Sequence, residues 1–428
     1  MFGRSAIPGF LLLLACGDAP PRPTGENGEN DALRALVDSL LPALEEASGL
    51  SALSEVRVER RSSEQVRAFV ERQLDDEMPA ARMEGVHATY ALLGLIPDTL
   101  DLRALLLDLY TEQIIGYYDP ETETLYAVEQ VERAALRPVI AHELVHALQD
   151  QHASLDSLIS PDRGNDRQIA AQAALEGHAT LVMFGLLAAE ATGQPVDPAM
   201  MPNPAEQLRA GLEQESSEFP VFRRAPRAIR EMLMFPYASG AAFVQALWRA
   251  VPAGSERPVP LGEHLPQSTE QVLHPTDAFL GVRDDPTELR FAPDTGWTVL
   301  YENTLGAFET RLFLEEHLGS GDAAGWDGDR FRLLQDPAGQ RALIWASIWD
   351  DAGSATAFAA AAQRVLDGGS LDADGAVSTA TLEARPIVRI VLTGPGLGAV
   401  HVPMLDVHCA DQSGDASPCA ATAAIATR

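Results

Sequence analysis

His142-Glu143-Leu144-Val145-His146 decides how this chain is read. On an α-helix, residues four apart lie one turn above each other on the same face. Two imidazoles so placed reach one metal ion, and the glutamate between them faces a water bound to it. A random chain of this composition, with 10 His in 428 residues, would hold roughly 0.02 copies of the pattern, so accident is a poor explanation. The flanks Pro138-Val139-Ile140-Ala141 and Ala147-Leu148 carry no charge. With Leu144 and Val145 they predict a helix buried on most sides, with Pro138 in its first turn. The plain alternative is a core helix whose histidines are satisfied by hydrogen bonds.

A third ligand is expected downstream. The stretch 169–184 is strongly apolar and reads as a second buried helix, with Glu176 and His178 the polar residues in its middle. A lone carboxylate there is expensive unless it is paired or bound to a metal. A His₂Glu set suits Zn²⁺ and leaves a fourth position for water. The 29 residues between His146 and Glu176 suffice for a turn, a loop and an antiparallel return. The other reading of Glu176 is a buried ion pair with an arginine. His178, two positions on, points to another face and reads as a residue packed behind the ligands.

His142, Glu143, His146 and the later Glu176 together resemble the gluzincin branch of the zincin metallopeptidases. The resemblance is specific over 138–184 and weaker over 116–128, 235–240 and 268–275. It is similar to bacterial and archaeal envelope proteins carrying HELxHALQDQ and a downstream EGxA. The resemblance implies one zinc per chain on His142, His146 and Glu176, with Glu143 as general base toward a peptide or protein substrate. It also implies a donor for the developing oxyanion. Tyr237 and His274 are the candidates, with Tyr117 and Tyr118 behind them. Many gluzincins support the first histidine with an aspartate four residues after the third ligand; here that place is Thr180. Asp150, one turn after His146, is the candidate to hold an imidazole N–H instead.

Ahead of the motif, 112–119 and 124–128 read as two strands joined by Asp119-Pro120-Glu121-Thr122-Glu123. By analogy with zincins, such a hairpin offers an edge to an extended peptide. Farther upstream, 31–48 and 63–76 read as helices around a strand at 56–60, the second helix starting near Ser63 without a full capping box. Later, 226–234 and 240–250 read as helices on either side of Phe235-Pro236-Tyr237-Ala238-Ser239-Gly240. From about 285 the pattern becomes strands at 297–301, 331–335, 341–349, 376–382 and 388–392, with helices at 305–318 and 352–366. Gly325-Trp326-Asp327-Gly328-Asp329 reads as an acidic turn. The expected fold class is α+β: a mainly helical zincin-like unit at 31–280 with a small sheet, then an α+β unit at 285–428.

The start of the chain predicts where it works. One arginine, an apolar run at 6–14 and then Leu13-Leu14-Ala15-Cys16 resemble a bacterial lipoprotein signal. Residues 1–15 would be removed, Cys16 lipidated, and 16–30, rich in Pro, Gly and Asn, left as a flexible tether. The expected location is the cell envelope, at the outer membrane where two membranes exist; the alternative is a secreted or periplasmic protein. Cys409 and Cys419 are expected to form a disulfide in that oxidising setting. The formal net charge of −31, with every basic residue an arginine, speaks against nucleic acid as a partner. The functional alternative to a peptidase is a non-catalytic zincin-fold lipoprotein acting as a scaffold. A third alternative, a di-iron bundle, needs two ExxH-type pairs and further glutamates on facing helices.

Overall fold

A computed structural model of the chain describes residues 26–129, 131, 133–215, 219–252, 254–292, 296–394 and 407–409. The fold is α+β. In chain order the elements are α1 (Glu26–Ser48), β1 (Arg57–Arg61), α2 (Ser63–Glu77), α3 (Ala80–Leu92), α4 (Leu102–Gln113), β2 (Gly116–Asp119), β3 (Thr124–Val128), α5 (Arg133–His152) and α6 (Leu155–Leu158). There follow α7 (Asn165–Thr192), α8 (Pro204–Glu215), α9 (Pro220–Arg224), α10 (Arg227–Ala250), α11 (Thr269–Leu273) and α12 (Pro275–Ala278). The last part holds β4 (Leu289–Phe291), β5 (Thr298–Asn303), α13 (Gly306–Leu318), β6 (Trp326–Gln335), β7 (Arg341–Trp349), α14 (Ala352–Asp367), β8 (Asp374–Leu382), β9 (Arg385–Thr393) and β10 (Val407–Cys409).

Helix α5 carries the motif and is sealed on almost every side: Val139, Ile140, Ala141, Leu144, Val145, Ala147 and Leu148 are all buried. It begins at Arg133, so Pro138 lies inside it rather than in its first turn. Helix α10 is likewise one continuous helix through Pro236, where two helices were expected. Packing of an apolar face outweighs the local preference of proline in both. Helix α2 does start with a capping box, contrary to expectation. The box is set one residue earlier, between Ser62 and Gln65.

Helices α7 and α10 meet backbone to backbone. A Cβ on Gly177 would lie 1.9 Å from the Gly240 carbonyl carbon, and one on Gly240 would lie 1.9 Å from the Ala173 oxygen. Only hydrogen fits at this crossing, which sits one residue from Glu176. Gly240→Ala therefore forces the helices apart. The expected loss is about 1–3 kcal/mol of stability from overpacking, against about 0.5–1 kcal/mol regained in helix propensity. Thermal unfolding with metal analysis checks it: a lower Tm and a displaced Glu176, read as weakened metal uptake, are the expected results.

A small sheet with order β1-β3-β2 flanks α5. Strand β2 runs antiparallel to β3 (Gly116 opposite Ala127), as a hairpin should, whereas β1 joins β3 in parallel (Arg57 opposite Thr124). The larger sheet, order β5-β6-β7-β9-β8, is antiparallel throughout. Along β7, Leu343 and Trp345 join the main core, while Ala342, Ile344 and Ala346 pack on the opposite face with Leu289 and Phe291. Both faces are thus covered, which explains the near-continuous apolar run. The expected acidic turn at 325–329 is corrected: from Trp326 on it is strand β6, drawn into the sheet by pairing with β7. Asp329 turns inward and accepts from the backbone N–H groups of Leu305 and Gly306 and from the Trp345 indole.

One apolar core contains Leu144 and Val145 of α5, Ala173 of α7, Phe308 and Phe313 of α13, and Trp345 of β7. Helix α13 packs against α7, which carries Glu176, and against α10. The expected signal segment, Cys16 and Cys419 lie outside the described residues. Cys409 ends β10, which pairs with β4.

Candidate metal centre

The burial that shapes α5 and α7 turns three donors toward each other. His142 and His146, one turn apart on α5, point at Glu176 on α7. His142 Nε2 lies 3.0 Å from Glu176 Oε2, His146 Nε2 lies 3.3 Å from the same oxygen, and the two Nε2 atoms are 3.0 Å apart. Exposures are 0 % for His142, 6 % for His146 and 3 % for Glu176. Among the described residues no arginine pairs with Glu176, and the two imidazoles are its partners. This is a buried His–His–Glu group able to hold a metal ion.

A chain of hydrogen bonds orients His146, and its polarity can be read from one end. The Ser48 carbonyl can only accept, so His178 Nε2–H donates to it (3.1 Å). Burial pushes the His178 imidazole down to about 3, so the ring is neutral and its Nδ1 accepts from Gln149 Nε2 (3.1 Å). The same amide nitrogen donates to the Leu175 carbonyl, which fixes the amide's direction. Gln149 Oε1 must then accept from His146 Nδ1–H at 2.8 Å. His146 is left with Nε2 facing Glu176, the tautomer a metal ligand needs.

Gln149, not Asp150, therefore supports an imidazole. The expectation for Asp150 is corrected: its carboxylate accepts from the Tyr118 hydroxyl and the Leu155 N–H, both at 3.0 Å. Positions three and four residues along a helix are both neighbours of His146, and here the i+4 side chain turns to β2. An uncharged glutamine inside a buried helix was the available signal. Among the described residues His142 Nδ1 has no partner, and neither has the buried hydroxyl of Thr180, which occupies the place where the resemblance implies an aspartate. Gln149→Leu is expected to weaken metal binding about 10- to 100-fold. Competition with a chelator of known affinity measures it, and an unchanged affinity would discount the chain of hydrogen bonds.

Glu143 sits between the histidines, fully buried. Its Oε2 accepts from the Tyr118 backbone N–H at 2.9 Å, while Oε1 is buried without a partner. Burial, helped by Glu176, raises its carboxyl to about 8 against the pull of His146. Glu176 goes the other way: burial would raise it, but His146 and His142 outweigh that and hold it at about 2. Burial alone would lower His146, yet Glu176, Glu143 and Gln149 carry it up to about 9. Burial leads in lowering His142. The metal-free group thus holds an imidazolium–carboxylate pair beside a protonated Glu143.

Of the oxyanion-donor candidates, Tyr237 adjoins the group. Its ring centroid is 6.1 Å from that of His142, and its buried hydroxyl makes no hydrogen bond of ordinary geometry. Burial and the Glu176 and Glu143 carboxylates raise its pKa far above the usual value, so it remains a donor. His274 does not join them: its half-exposed ring faces Asp322, with Nε2 4.0 Å from Oδ1. Its position between α11 and α12 carries it to the surface. Tyr117 is packed in the core, stacked on Phe69 at 4.3 Å. Tyr118 bonds Glu143 through its backbone and Asp150 through its hydroxyl.

Fold and site together define an α+β protein with a buried His–His–Glu group. Residues 298–403 match the family described as "Domain of unknown function (DUF8575)", a stretch that takes in the five-stranded sheet but none of the three donors. No curated protein matches the chain. A solved structure from Chloroflexus aurantiacus, described as a "putative hydrolase with a novel fold", is similar at 19% identity and TM-score 0.33, over 59% of this chain and 90% of its own. That likeness is too slight to carry fold or activity.

Proposed function

We propose that this chain is a zinc-dependent peptide-bond hydrolase of zincin type working at the cell envelope. The observation that carries the reading is the meeting of His142 Nε2, His146 Nε2 and Glu176 Oε2 at separations of 3.0, 3.0 and 3.3 Å. Tetrahedral zinc, with ligand bonds of about 2.0–2.2 Å, sets its donors about 3.3 Å apart, so the set fits. Three protein donors also leave the open position of a catalytic rather than a structural site.

Zinc bound here would acidify a water and polarise a carbonyl. The chain's own groups do the rest. Tyr118 N–H pins one oxygen of Glu143 and leaves the unpartnered Oε1 to take a proton and later release it to a leaving amine. Tyr237, held protonated, donates to the oxygen on which charge develops. Gln149 keeps His146 in the binding tautomer. Strand β2 ends its sheet beside Glu143, which favours an extended peptide as substrate. Cys16 in Leu13-Leu14-Ala15-Cys16 supplies the lipid anchor of this reading.

Metal analysis and a diverse peptide library test the proposal. The expected outcome is one zinc per purified chain, peptide cleavage abolished by a chelator, and loss of both in His146→Ala. A chain that takes up no divalent ion at neutral pH and cleaves no peptide would turn the reading toward a scaffold protein, and cleavage indifferent to chelation would end the metal-dependent mechanism. Palmitate labelling that survives Cys16→Ser would remove the anchor.

A further inference from the structure

A small cavity of about 80 Å³ lies where the start of α7 meets strand β6, and none of the metal donors lines it. Three hydrogen-bond donors without acceptors do. Arg163 sits in the turn Pro161–Arg163, and its buried Nε–H has no acceptor among the described residues. Arg167, in the first turn of α7, likewise makes no ion pair or side-chain hydrogen bond among them. Trp326 opens β6 at 1 % exposure, and its indole N–H has no acceptor either. A buried donor left without an acceptor is costly, so three around one space need a common explanation.

With 62 acidic residues against 31 basic ones, an arginine in this chain should find a carboxylate easily. The nearby carboxylates are committed elsewhere. The Asp329 oxygens accept from the Leu305 and Gly306 N–H groups and the Trp345 indole, and Asp166 Oδ1 accepts from the N–H and hydroxyl of Thr269. Burial also raises Asp166 to about 7, so part of its charge is lost near neutrality. Asp285 is held by Arg283 and Gln271, and Glu288 by Arg290. Burial first, and then the charge of Arg167, lowers the Arg163 pKa, which places the two guanidinium groups within reach of each other's field.

Two unpaired cations and a neutral donor around one space suit an anion. At about 30 Å³ per water the cavity equals about three waters, room for one oxyanion and not for a cofactor. The donors come from α7 with its leading turn and from β6, not as one flat fork, which suits a tetrahedral phosphate better than a planar carboxylate. The first N–H groups of α7 are already taken, Asn165 by Asn303 Oδ1 and Asp166 by the Thr304 hydroxyl, so the helix end adds only its dipole.

We propose that this cavity binds one phosphate-type oxyanion, held by Arg163, Arg167 and the Trp326 indole N–H. The ion would bridge the C-terminal sheet to α7, the helix that also presents Glu176. None of its three holders belongs to the proposed metal centre, so the site stands or falls apart from the hydrolase reading.

Calorimetry on the full chain, freed of phosphate and sulfate and titrated with inorganic phosphate at constant ionic strength, tests it. One ion per chain is expected, with saturation below about 10 mM. Arg163→Gln and Arg167→Gln should each weaken binding about tenfold or more. Trp326→Phe keeps the ring in the core and removes only the N–H, and should weaken binding about three- to tenfold. Near-UV circular dichroism identifies the folded variants, and metal content should not change in them. Acetate should bind about tenfold more weakly than phosphate. Methyl phosphate binding as tightly as phosphate supports a phosphomonoester as the natural source, and weaker binding supports the free ion. No saturable phosphate binding up to about 10 mM, acetate bound as tightly, or an unchanged affinity in the folded arginine variants would overturn the proposal.

Discussion

Glu143→Gln is expected to lower kcat for peptide hydrolysis by about 10²- to 10⁴-fold with metal content unchanged. That corresponds to about 3–5 kcal/mol of lost transition-state stabilisation. The separation of the two readouts follows from the geometry. The donors that meet are on His142, His146 and Glu176, and Glu143 is not among them. The amide of glutamine can still accept from the Tyr118 N–H, as the carboxylate does now at 2.9 Å. It cannot take a proton at the position of Oε1. The fold should survive, because a near-isosteric neutral group replaces a carboxyl that burial already holds up at about 8. The sign of the pH effect is fixed by that upward shift. The stability associated with Glu143 is present below its ordinary 4.5 and is lost as pH rises through about 8. The metal-free variant should therefore gain on the native chain in alkaline unfolding experiments. Steady-state kinetics beside elemental analysis decide the main point. Turnover equal to that of the native chain would end the general-base role, and loss of metal would make Glu143 a ligand.

The parts of this molecule that sequence made legible are those whose cause is local. A helix with no charge around two histidines has to be buried, and a carboxylate in a second apolar helix has to find a compensating partner. Both conditions hold for α5 and Glu176. The antiparallel hairpin β2–β3 follows from its own turn chemistry. What stayed hidden depends on partners far along the chain. The carbonyl that anchors the His178–Gln149–His146 chain belongs to Ser48, 130 residues from His178, and no spacing rule points to it. Strand β1 enters the small sheet in parallel, beside a strand more than 60 residues away. Gly177 and Gly240 look like ordinary helical glycines until the crossing of α7 and α10 shows that no Cβ fits. Pro236 suggests a break, yet α10 runs through it because Phe235, Tyr237 and Ala238 are all buried against neighbours. His274 carries attractive chemistry, but the turn between α11 and α12 delivers it to the surface.

Metal uptake should depend on pH in a range where an ordinary pair of histidines would no longer respond. In the metal-free protein burial opposes the charge on His146, but the carboxylates of Glu176 and Glu143 and the amide of Gln149 outweigh it and hold the proton up to about 9. A divalent ion needs the Nε2 lone pair that this proton occupies. Below pH 9 each unit of acidification should therefore weaken apparent affinity about tenfold, whereas a histidine at its usual value would level off above 6.5. Over the interval from 6.5 to about 9 the expected change is about 300-fold. Below about 8 the slope steepens further where Glu143 also ionises on loading. Folding linkage runs the opposite way in the metal-free chain. The raised His146 adds stability that is fully present below 6.5 and lost as pH rises through about 9. The depressed Glu176 adds stability that is fully present above 4.5 and lost as pH falls through about 2. Between 4.5 and 6.5 the empty pair holds the two helices together best and resists the ion most, because the proton does the bridging. Chelator competition across pH 6–9, with calorimetry in buffers of different ionisation enthalpy, reads this as a unit slope or more and as at least one proton released per ion at neutral pH. An affinity that is flat from pH 7 to 9 would mean that His146 is already free of its proton, and that Glu176 does not hold it as the distances imply.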